Sequence, residues 1–354
     1  MTSRERVRAV FSHEIPDRVP AWMGASPEFK ALALKSAGLG GEEDLALFVG
    51  DDFRRVYARY AGPPEFSPNS ALVHPAATCR TPFGVERLGY GCGQPAGHPL
   101  AGIRSAADID AFSWPDPRWM DVSRIRADAS AWGGRFAVLG GEWSPFYHDA
   151  IDLMGMETLM IMLVDNPKLA ERLLGRIVDY YFQVSLRIFE AAADVIDIFF
   201  IGNDFGTQTG PVVGEALFRR FFQPHLARLA SLGHDFGLKV QLHCCGGFFP
   251  LIPALIEAGI DALQSLQPDA RDMAPARLKS AFGGRMVFNG CIDTHYWLID
   301  GTPDLVRAKT REVLEIMKPG GGYIASPSHD YLLPETPVEN VFAFYQTVRE
   351  YGSY

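Results

Sequence analysis

Short apolar segments alternate with longer amphipathic ones from residue 135 to the end of the chain, and this alternation restricts the fold more than any other feature. The apolar segments are typical of buried strands, and the segments between them have helical length and periodicity. Two further apolar segments precede residue 60. The eight predicted strands cover residues 19–23, 53–57, 136–140, 195–202, 239–242, 262–264, 286–289 and 323–326.

Eight apolar strands, most of them followed by helices, predict an α/β fold with a single (β/α)8 TIM barrel spanning residues 1–354. The alternative is a doubly wound open sheet, although no glycine-rich dinucleotide-binding pattern follows the first strand. Residues 61–130 are rich in Pro and Gly and predict an insertion after the second strand, with a hairpin near 81–91, that caps one face. The main predicted helices are 28–37, 43–48, 150–163, 167–193, 214–232, 248–258, 303–317 and 338–351.

The composition excludes several classes of protein. The chain has 354 residues, 47% hydrophobic and 21% charged, which is typical of a globular protein with a large core. Its net charge is −9 and its arginines are dispersed, so we expect no nucleic-acid partner. The absence of a signal core or a long apolar run predicts a cytoplasmic protein without a membrane span. Five cysteines, an odd number, argue against a disulfide framework.

The segment His243-Cys244-Cys245-Gly246-Gly247 follows the predicted strand 239–242. Side chains alternate along a strand, so His243 and Cys245 point to one side and Cys244 points to the other. Imidazole and thiolate are preferred zinc ligands, and a catalytic zinc takes three protein ligands. Two interpretations stay open: a metal site that needs a third ligand, or a core histidine with two packed thiols.

Polar side chains follow six consecutive predicted strands, where the active sites of barrels form. We therefore expect a metal site, with His329 as the first choice for the third ligand and Cys291, Asp204 and Glu142 as alternatives. His329 paired with Asp330 as a cap or a substrate contact is the competing interpretation. The predicted catalytic residues are Glu142, Asp204 and His329, the metal ligands His243, Cys245 and His329, and the substrate-binding residues Trp143, Tyr147, Gln208, Gln267 and Asn289.

Several motifs resemble, in order and spacing, those of the uroporphyrinogen decarboxylase superfamily, and specifically its methyltransferase-like bacterial branch. The similarity runs nearly end to end and implies a (β/α)8 barrel. Among its carriers are Pro16-Asp17-Arg18-Val19-Pro20, Trp143-Ser144-Pro145, Leu153-Met154-Gly155-Met156-Glu157, Asn203-Asp204-Phe205-Gly206, His243-Cys244-Cys245-Gly246 and Thr336-Pro337-Val338-Glu339-Asn340.

The resemblance implies a zinc site. In the methylcobamide:thiol methyltransferases of this branch, a His-x-Cys pair and a later Cys bind zinc, and the activated thiol takes a methyl group from a corrinoid protein. His243 and Cys245 match the pair, but Ser328-His329-Asp330 stands where the third cysteine is expected. The arginine-rich amino-terminal loop of the true decarboxylases is also missing, because the corresponding stretch is Met23-Gly24-Ala25-Ser26-Pro27.

Three hypotheses follow for the function. The first is a zinc-dependent methyltransferase or demethylase-type enzyme that acts on a small molecule, with a corrinoid protein as partner. The second is a metal-free lyase that decarboxylates an aromatic or pyrrolic acid, and the third is a non-catalytic partner of a corrinoid protein. A homodimer is left open.

Overall fold

The computed structural model describes residues 1–67, 78–88 and 94–354. Parts of the predicted insertion, including Cys92, lie outside these residues. The helices are α1 (Ser3–Phe11), α2 (Pro27–Ala37), α3 (Glu42–Val49), α4 (Ala106–Ala111), α5 (Ile125–Ser130), α6 (Phe146–Met154), α7 (Met156–Asp165), α8 (Pro167–Ala192), α9 (Glu215–Phe221), α10 (Gln223–Asp235), α11 (Ile252–Glu257), α12 (Pro275–Phe282), α13 (Pro303–Met317) and α14 (Val338–Tyr351).

A curled sheet of seven parallel strands forms the centre of the fold, and its strand order follows the chain. Parallel neighbours require a crossover between them, which the intervening helices supply. Seven of the eight predicted strands therefore lie in one α/β sheet. They are β1 (Phe53–Arg55), β2 (Ala137–Gly140), β3 (Ile198–Gly202), β4 (Lys239–His243), β5 (Ala262–Leu266), β6 (Val287–Ile292) and β7 (Tyr323–Pro327).

The first predicted strand, residues 19–23, is replaced by isolated bridges. Ala21 bridges to Asp51 beside β1 and to Ala325 in β7, at opposite edges of the sheet. The Trp22 N–H donates to the Ala325 carbonyl at 3.0 Å, and the Ala325 N–H donates to the Pro20 carbonyl at 2.9 Å. Proline has no N–H to extend this ladder, which explains why the pairing stays short.

Alternation along the strands sorts the core into two layers. Outward-facing side chains such as Phe199 and Leu242 pack against the helices, whereas the inward-facing Phe200 and Leu139 form a smaller cluster on the concave side. Helix α1 adds Val7, Val10 and Phe11 to this inner cluster. The helix therefore closes the amino-terminal end of the sheet with apolar side chains.

Two predicted helices are interrupted. The segment 150–163 divides into α6 and α7 at Gly155, whose φ of +80° suits glycine. The segment 214–232 divides into α9 and α10 at Phe222, just before Pro224. Proline lacks a donor N–H and its ring crowds the preceding turn, so a new helix begins there.

Short elements complete the described chain. Thr78–Arg80 pairs antiparallel with Glu86–Leu88, close to the predicted hairpin, and Phe83 between them packs against Tyr180 and Tyr181 of α8. Among the described residues, no helix is long and apolar enough to cross a membrane. The remaining short strands are Arg59–Tyr60, Gln94–Pro95, Met120–Asp121, Gly206–Thr207 and Gly210–Pro211, and the short helical turns are Pro117–Trp119, Ala193–Val195, Phe249–Leu251 and Thr294–Ile299.

Candidate metal centre

Asp204, His243 and Cys245 come together at the carboxyl end of the curled sheet, and one ligand atom from each lies within 4.8 Å of the others. His243 Nε2 is 3.4 Å from Cys245 Sγ and 3.5 Å from Asp204 Oδ1. The Cys245 N–H also donates to Asp204 Oδ1 at 2.7 Å. Nitrogen, sulfur and carboxylate oxygen form a donor set that fits zinc, and three protein ligands leave a position for a substrate atom.

Two glycines allow the loops after β3 and β4 to meet. A Cβ atom on Gly206 would lie 2.5 Å from the Cys245 carbonyl oxygen, and one on Gly246 would lie 2.5 Å from the Gly206 carbonyl carbon. Any other residue would force the backbones apart. The close approach holds Asp204, which precedes Gly206 by two residues, against the end of β4.

A hydrogen-bonded relay orients the His243 ring. His243 Nδ1 lies 2.6 Å from Gln264 Oε1, and Gln264 Nε2 donates to Asp330 Oδ1 at 3.0 Å. Because the amide nitrogen of Gln264 faces the carboxylate, its oxygen accepts the proton on His243 Nδ1. His243 Nε2 is therefore the nitrogen that faces Cys245 and Asp204, as expected for a metal-ligating histidine with an outer partner.

The electrostatics of the cluster favour a positive charge. Desolvation lowers the pKa of His243, but Cys245, Asp204 and Asp330 outweigh it and raise that pKa to about 10. Burial acts to raise the pKa of Asp204, but the hydrogen bond to His148 and the charge of His243 hold it well below its usual range. A proton on His243 is the charge that these groups stabilise, and a bound cation would satisfy the same groups.

The two adjacent thiols differ as the alternation predicts. Cys244 is fully buried in the outer core, between the sheet and the helices. The Phe205 N–H donates to Cys244 Sγ at 3.3 Å, and burial raises the pKa of the Cys244 thiol well above its ordinary value. Cys244 is therefore a packed thiol, whereas Cys245 is partly exposed beside His243.

The third member of the cluster is Asp204, one of the alternatives to His329. His329 is exposed, and its Nδ1 accepts from the Tyr331 N–H at 3.1 Å within its own loop. Cys291 is buried, with a pKa raised by desolvation to about 12. Among the described residues, only Asp204 lies close enough to His243 and Cys245 to complete a group of three ligands.

Trp143 lies beside this cluster, and Glu142 precedes it in the chain. The Trp143 ring centroid is 5.3 Å from that of His243, and Gly202 makes room for the indole, since a Cβ there would lie 2.0 Å from it. Desolvation raises the pKa of Glu142 to about 7, against the opposing charge of Arg55. A carboxyl group with this pKa can exchange protons near neutral pH.

The predicted substrate-binding residues separate into two groups. Gln208 and Gln267 line an open cleft of about 220 Å³ that also contains His329, and Gln267 Oε1 accepts from the Gly246 N–H at 3.1 Å. Tyr147 and Asn289, by contrast, are buried. Tyr147 stacks on Phe205, and Asn289 bonds to Gln241 and Ser326 inside the sheet.

Periodicity and motifs did not assign a role to Gln264 or Arg55. They also did not predict that Asp330 accepts a hydrogen bond from Gln264. Gln264 sits on β5 directly opposite His243 in the parallel register, so strand alignment could have identified it. Arg55 follows Phe53 by two residues, which places it on the concave face at the carboxyl end of β1. The position of Asp330 depends on a loop, which periodicity does not describe.

Comparisons with known proteins agree with this description. Residues 95–351 match the family model described as uroporphyrinogen decarboxylase (URO-D). A uroporphyrinogen decarboxylase from Myxococcus xanthus (strain DK1622) is 30% identical over 137 residues, which cover 36% of this chain and only 37% of that protein. A solved structure, a methyltransferase from Methanosarcina mazei, superposes with a TM-score of 0.69 over 99% of both chains at 19% identity, which is a likeness of fold. The predicted family is thus confirmed: the chain belongs to the uroporphyrinogen decarboxylase family.

Proposed function

We propose that the protein is a metal-dependent methyltransferase-type enzyme that uses Asp204, His243 and Cys245 to hold a zinc ion. The observation that carries the proposal is the convergence of these three ligand atoms within 4.8 Å at the carboxyl end of the sheet. The solved methyltransferase with the same fold supports the reaction class. When bound, zinc supplies a Lewis acid that lowers the pKa of a coordinating thiol or other substrate heteroatom.

The surrounding residues have separate roles in this proposal. Gln264 and Asp330 fix the His243 ring so that Nε2 faces the ion, and Gln208 and Gln267 contact the substrate in the cleft. Glu142, with a pKa raised to about 7, accepts the proton that the substrate heteroatom loses. His329, exposed at the cleft, contacts substrate in place of the ligand role first expected for it.

The proposal extends to the complete fold and to the methyl donor. The bridges of Ala21 to both edges of the sheet support a closed eight-stranded barrel with residues 19–23 as the eighth strand. Resemblance to the methylcobamide branch supports a corrinoid protein as the methyl carrier. In such a pair, the barrel mouth is the surface that meets the corrinoid.

Methyl transfer from methylcobalamin to 2-mercaptoethanol tests the reaction class. Zinc-loaded wild-type protein should produce the methyl thioether while the cobalamin absorbance changes, and a chelator should stop the reaction until zinc is restored. Cys245→Ser should lose roughly a hundredfold or more of the rate, because one ligand of three is gone. Cys79→Ser, a thiol in the insertion, is the matched control and should keep the wild-type rate. Full activity of Cys245→Ser would contradict the proposal.

The family match and the Myxococcus relative favour one alternative, a metal-free decarboxylase-type lyase. This alternative predicts carbon dioxide release from a carboxylated aromatic or pyrrolic substrate by chelator-treated protein. It also predicts that Cys245→Ser leaves turnover intact. The same two protein preparations therefore separate the two functions.

A further inference from the structure

Arg55, at the carboxyl end of β1, lacks an acceptor. Its Nε is buried without a hydrogen-bond partner, and the described residues provide it no ion pair. The guanidinium carbon lies 4.8 Å from the Tyr57 ring centroid, 4.9 Å from that of Phe200 and 5.2 Å from that of Trp143. The aromatic rings hold the guanidinium in place but offer no strong acceptor, so a buried donor is left unsatisfied.

The neighbouring Arg54 shows the contrast. Its guanidinium pairs with Glu43 at 2.8 Å on the other side of the strand, and it donates to the Phe53 carbonyl at 2.6 Å. Two adjacent arginines thus have opposite environments, one paired and one unpaired. An arginine that serves only packing would be expected to find a partner as Arg54 does.

Trp22 supplies a second unpaired donor, and its side chain packs against Phe200, as Arg55 does. The Trp22 side chain is buried, no described residue pairs with its Nε1, and its ring centroid is 5.1 Å from that of Phe200. Phe200 therefore has both Arg55 and Trp22 against it. Guanidinium and indole N–H groups together suit an anion with two acceptor oxygens.

Arg55 lies near the candidate metal centre. Arg55 and His243 both lie against the Trp143 ring, the guanidinium carbon at 5.2 Å and the imidazole centroid at 5.3 Å. A ligand that reaches both must be short. Glu142 is the carboxyl group closest to competing for Arg55, and its raised pKa leaves a large part of it neutral near pH 7.

We propose that Arg55 and Trp22 bind the carboxylate of a small organic acid at the mouth of the sheet. Resting on the proposed function, this assigns the substrate class: a short molecule with a carboxylate at one end and the reacting heteroatom at the other. The guanidinium fixes the carboxylate, and Trp143 contacts both Arg55 and His243.

Isothermal titration calorimetry on the metal-free, chelator-treated protein tests the carboxylate site without relying on zinc chemistry. The probes are benzoate and propionate, with benzamide and propionamide as uncharged counterparts of the same shape. Wild-type protein should bind at least one of the acids and neither amide. Arg55→Gln should weaken that binding by roughly tenfold or more, and Trp22→Phe by a smaller factor.

Arg135→Gln is the matched control, because Arg135 also lies over an aromatic ring, at 5.5 Å from Phe136, but is exposed at the start of β2. It should bind as the wild type does. Near-ultraviolet circular dichroism checks that each variant is folded, and Trp22→Phe decides the matter if Arg55→Gln does not fold. Equal binding of acid and amide, binding of neither acid, or undiminished binding by the folded variants would overturn the proposal.

A parallel titration of the zinc-loaded protein separates this inference from the proposed function. Acid binding that appears only with zinc and persists in Arg55→Gln would place the carboxylate on the metal and overturn the Arg55 assignment. If the metal-free protein binds the acid and this binding depends on Arg55, the Arg55 assignment is supported even where the methyl transfer assay fails.

Discussion

The two ends of the curled sheet differ in how their buried arginines are paired. At the amino end, Asp52 is fully buried and accepts from Arg6 at 2.7 Å, from Arg18 at 3.0 Å and from the Ala21 N–H at 2.9 Å. Asp197 at the same end bonds to Arg4 and Arg8. At the carboxyl end, by contrast, no described residue accepts a hydrogen bond from Arg55 Nε.

Three non-glycine residues at the carboxyl end have a left-handed backbone. Ser144, Ser265 and Cys291 adopt positive φ angles of 55°, 74° and 70° in the segments that follow or end β2, β5 and β6. Left-handed conformations cost about 1 kcal/mol or more for such residues and persist where the surroundings demand them. The ion pairs at the amino end therefore stabilise the fold, whereas Arg55 at the carboxyl end stays available to a ligand.

Removing the buried charge at the paired end should have the largest effect. Asp52→Asn removes the only counter-charge of Arg18 among the described residues and leaves Arg6 with Asp17 alone, so it should lower the free energy of unfolding by about 3 to 5 kcal/mol. Urea unfolding monitored by circular dichroism measures the change. Asp194→Asn, which breaks an exposed pair with Arg126, should leave the free energy of unfolding close to that of the wild type. Equal losses in the two variants would contradict the structural role of the amino end.

Disrupting the relay behind His243 should weaken the metal site with a smaller energetic effect. Gln264→Leu removes the acceptor for His243 Nδ1 and should reduce zinc affinity by roughly 10- to 100-fold. Competition with a chelator of known affinity gives the value. Gln241→Leu is the control. Gln241 is buried on the same concave face, two residues before His243 in β4, and no described residue pairs with its Nε2. Unchanged zinc affinity in Gln264→Leu would show that the hydrogen bond from His243 to Gln264 does not support zinc binding.

The effect expected at Glu142 is of similar size and depends on pH. Its folded-state pKa is raised from 4.5 to about 7, so ionisation opposes folding and stability is lost as pH rises through this window. Glu142→Gln should therefore gain roughly 1 to 3 kcal/mol over the wild type at pH 8 and little at pH 4. Unfolding at both pH values checks this. Glu157→Gln, an exposed residue of α7, should show no such difference, and a pH-independent gain at Glu142 would contradict the raised pKa.

The sequence identified those parts of the fold that periodicity controls. Seven strands, and the placement of Cys244 in the outer core, follow from apolar segments and side-chain alternation. The predicted strand 19–23 pairs only through isolated bridges because Pro20 cannot donate to a ladder, and the helix 150–163 divides at Gly155. Both exceptions arise from residues whose backbone chemistry overrides an apolar pattern.

The site was less predictable where loops decide it. His243 and Cys245 end or follow a strand, so alternation could place them together. Asp204 reaches them only because Gly206 and Gly246 let two backbones touch, a contact between distant parts of the chain. His329 lies in the loop after β7, where its ring bonds within its own turn, and the strand pattern carries no information about that turn.

Zinc content after chelation, reloading and gel filtration shows directly whether Asp204, His243 and Cys245 hold a cation at the carboxyl end of the sheet. Elemental analysis should find about one zinc per chain in the wild type and in Cys79→Ser, and almost none in Cys245→Ser or Asp204→Ala. A wild type that retains no zinc, or a Cys245→Ser variant that retains a full equivalent, would contradict a zinc site formed by Asp204, His243 and Cys245.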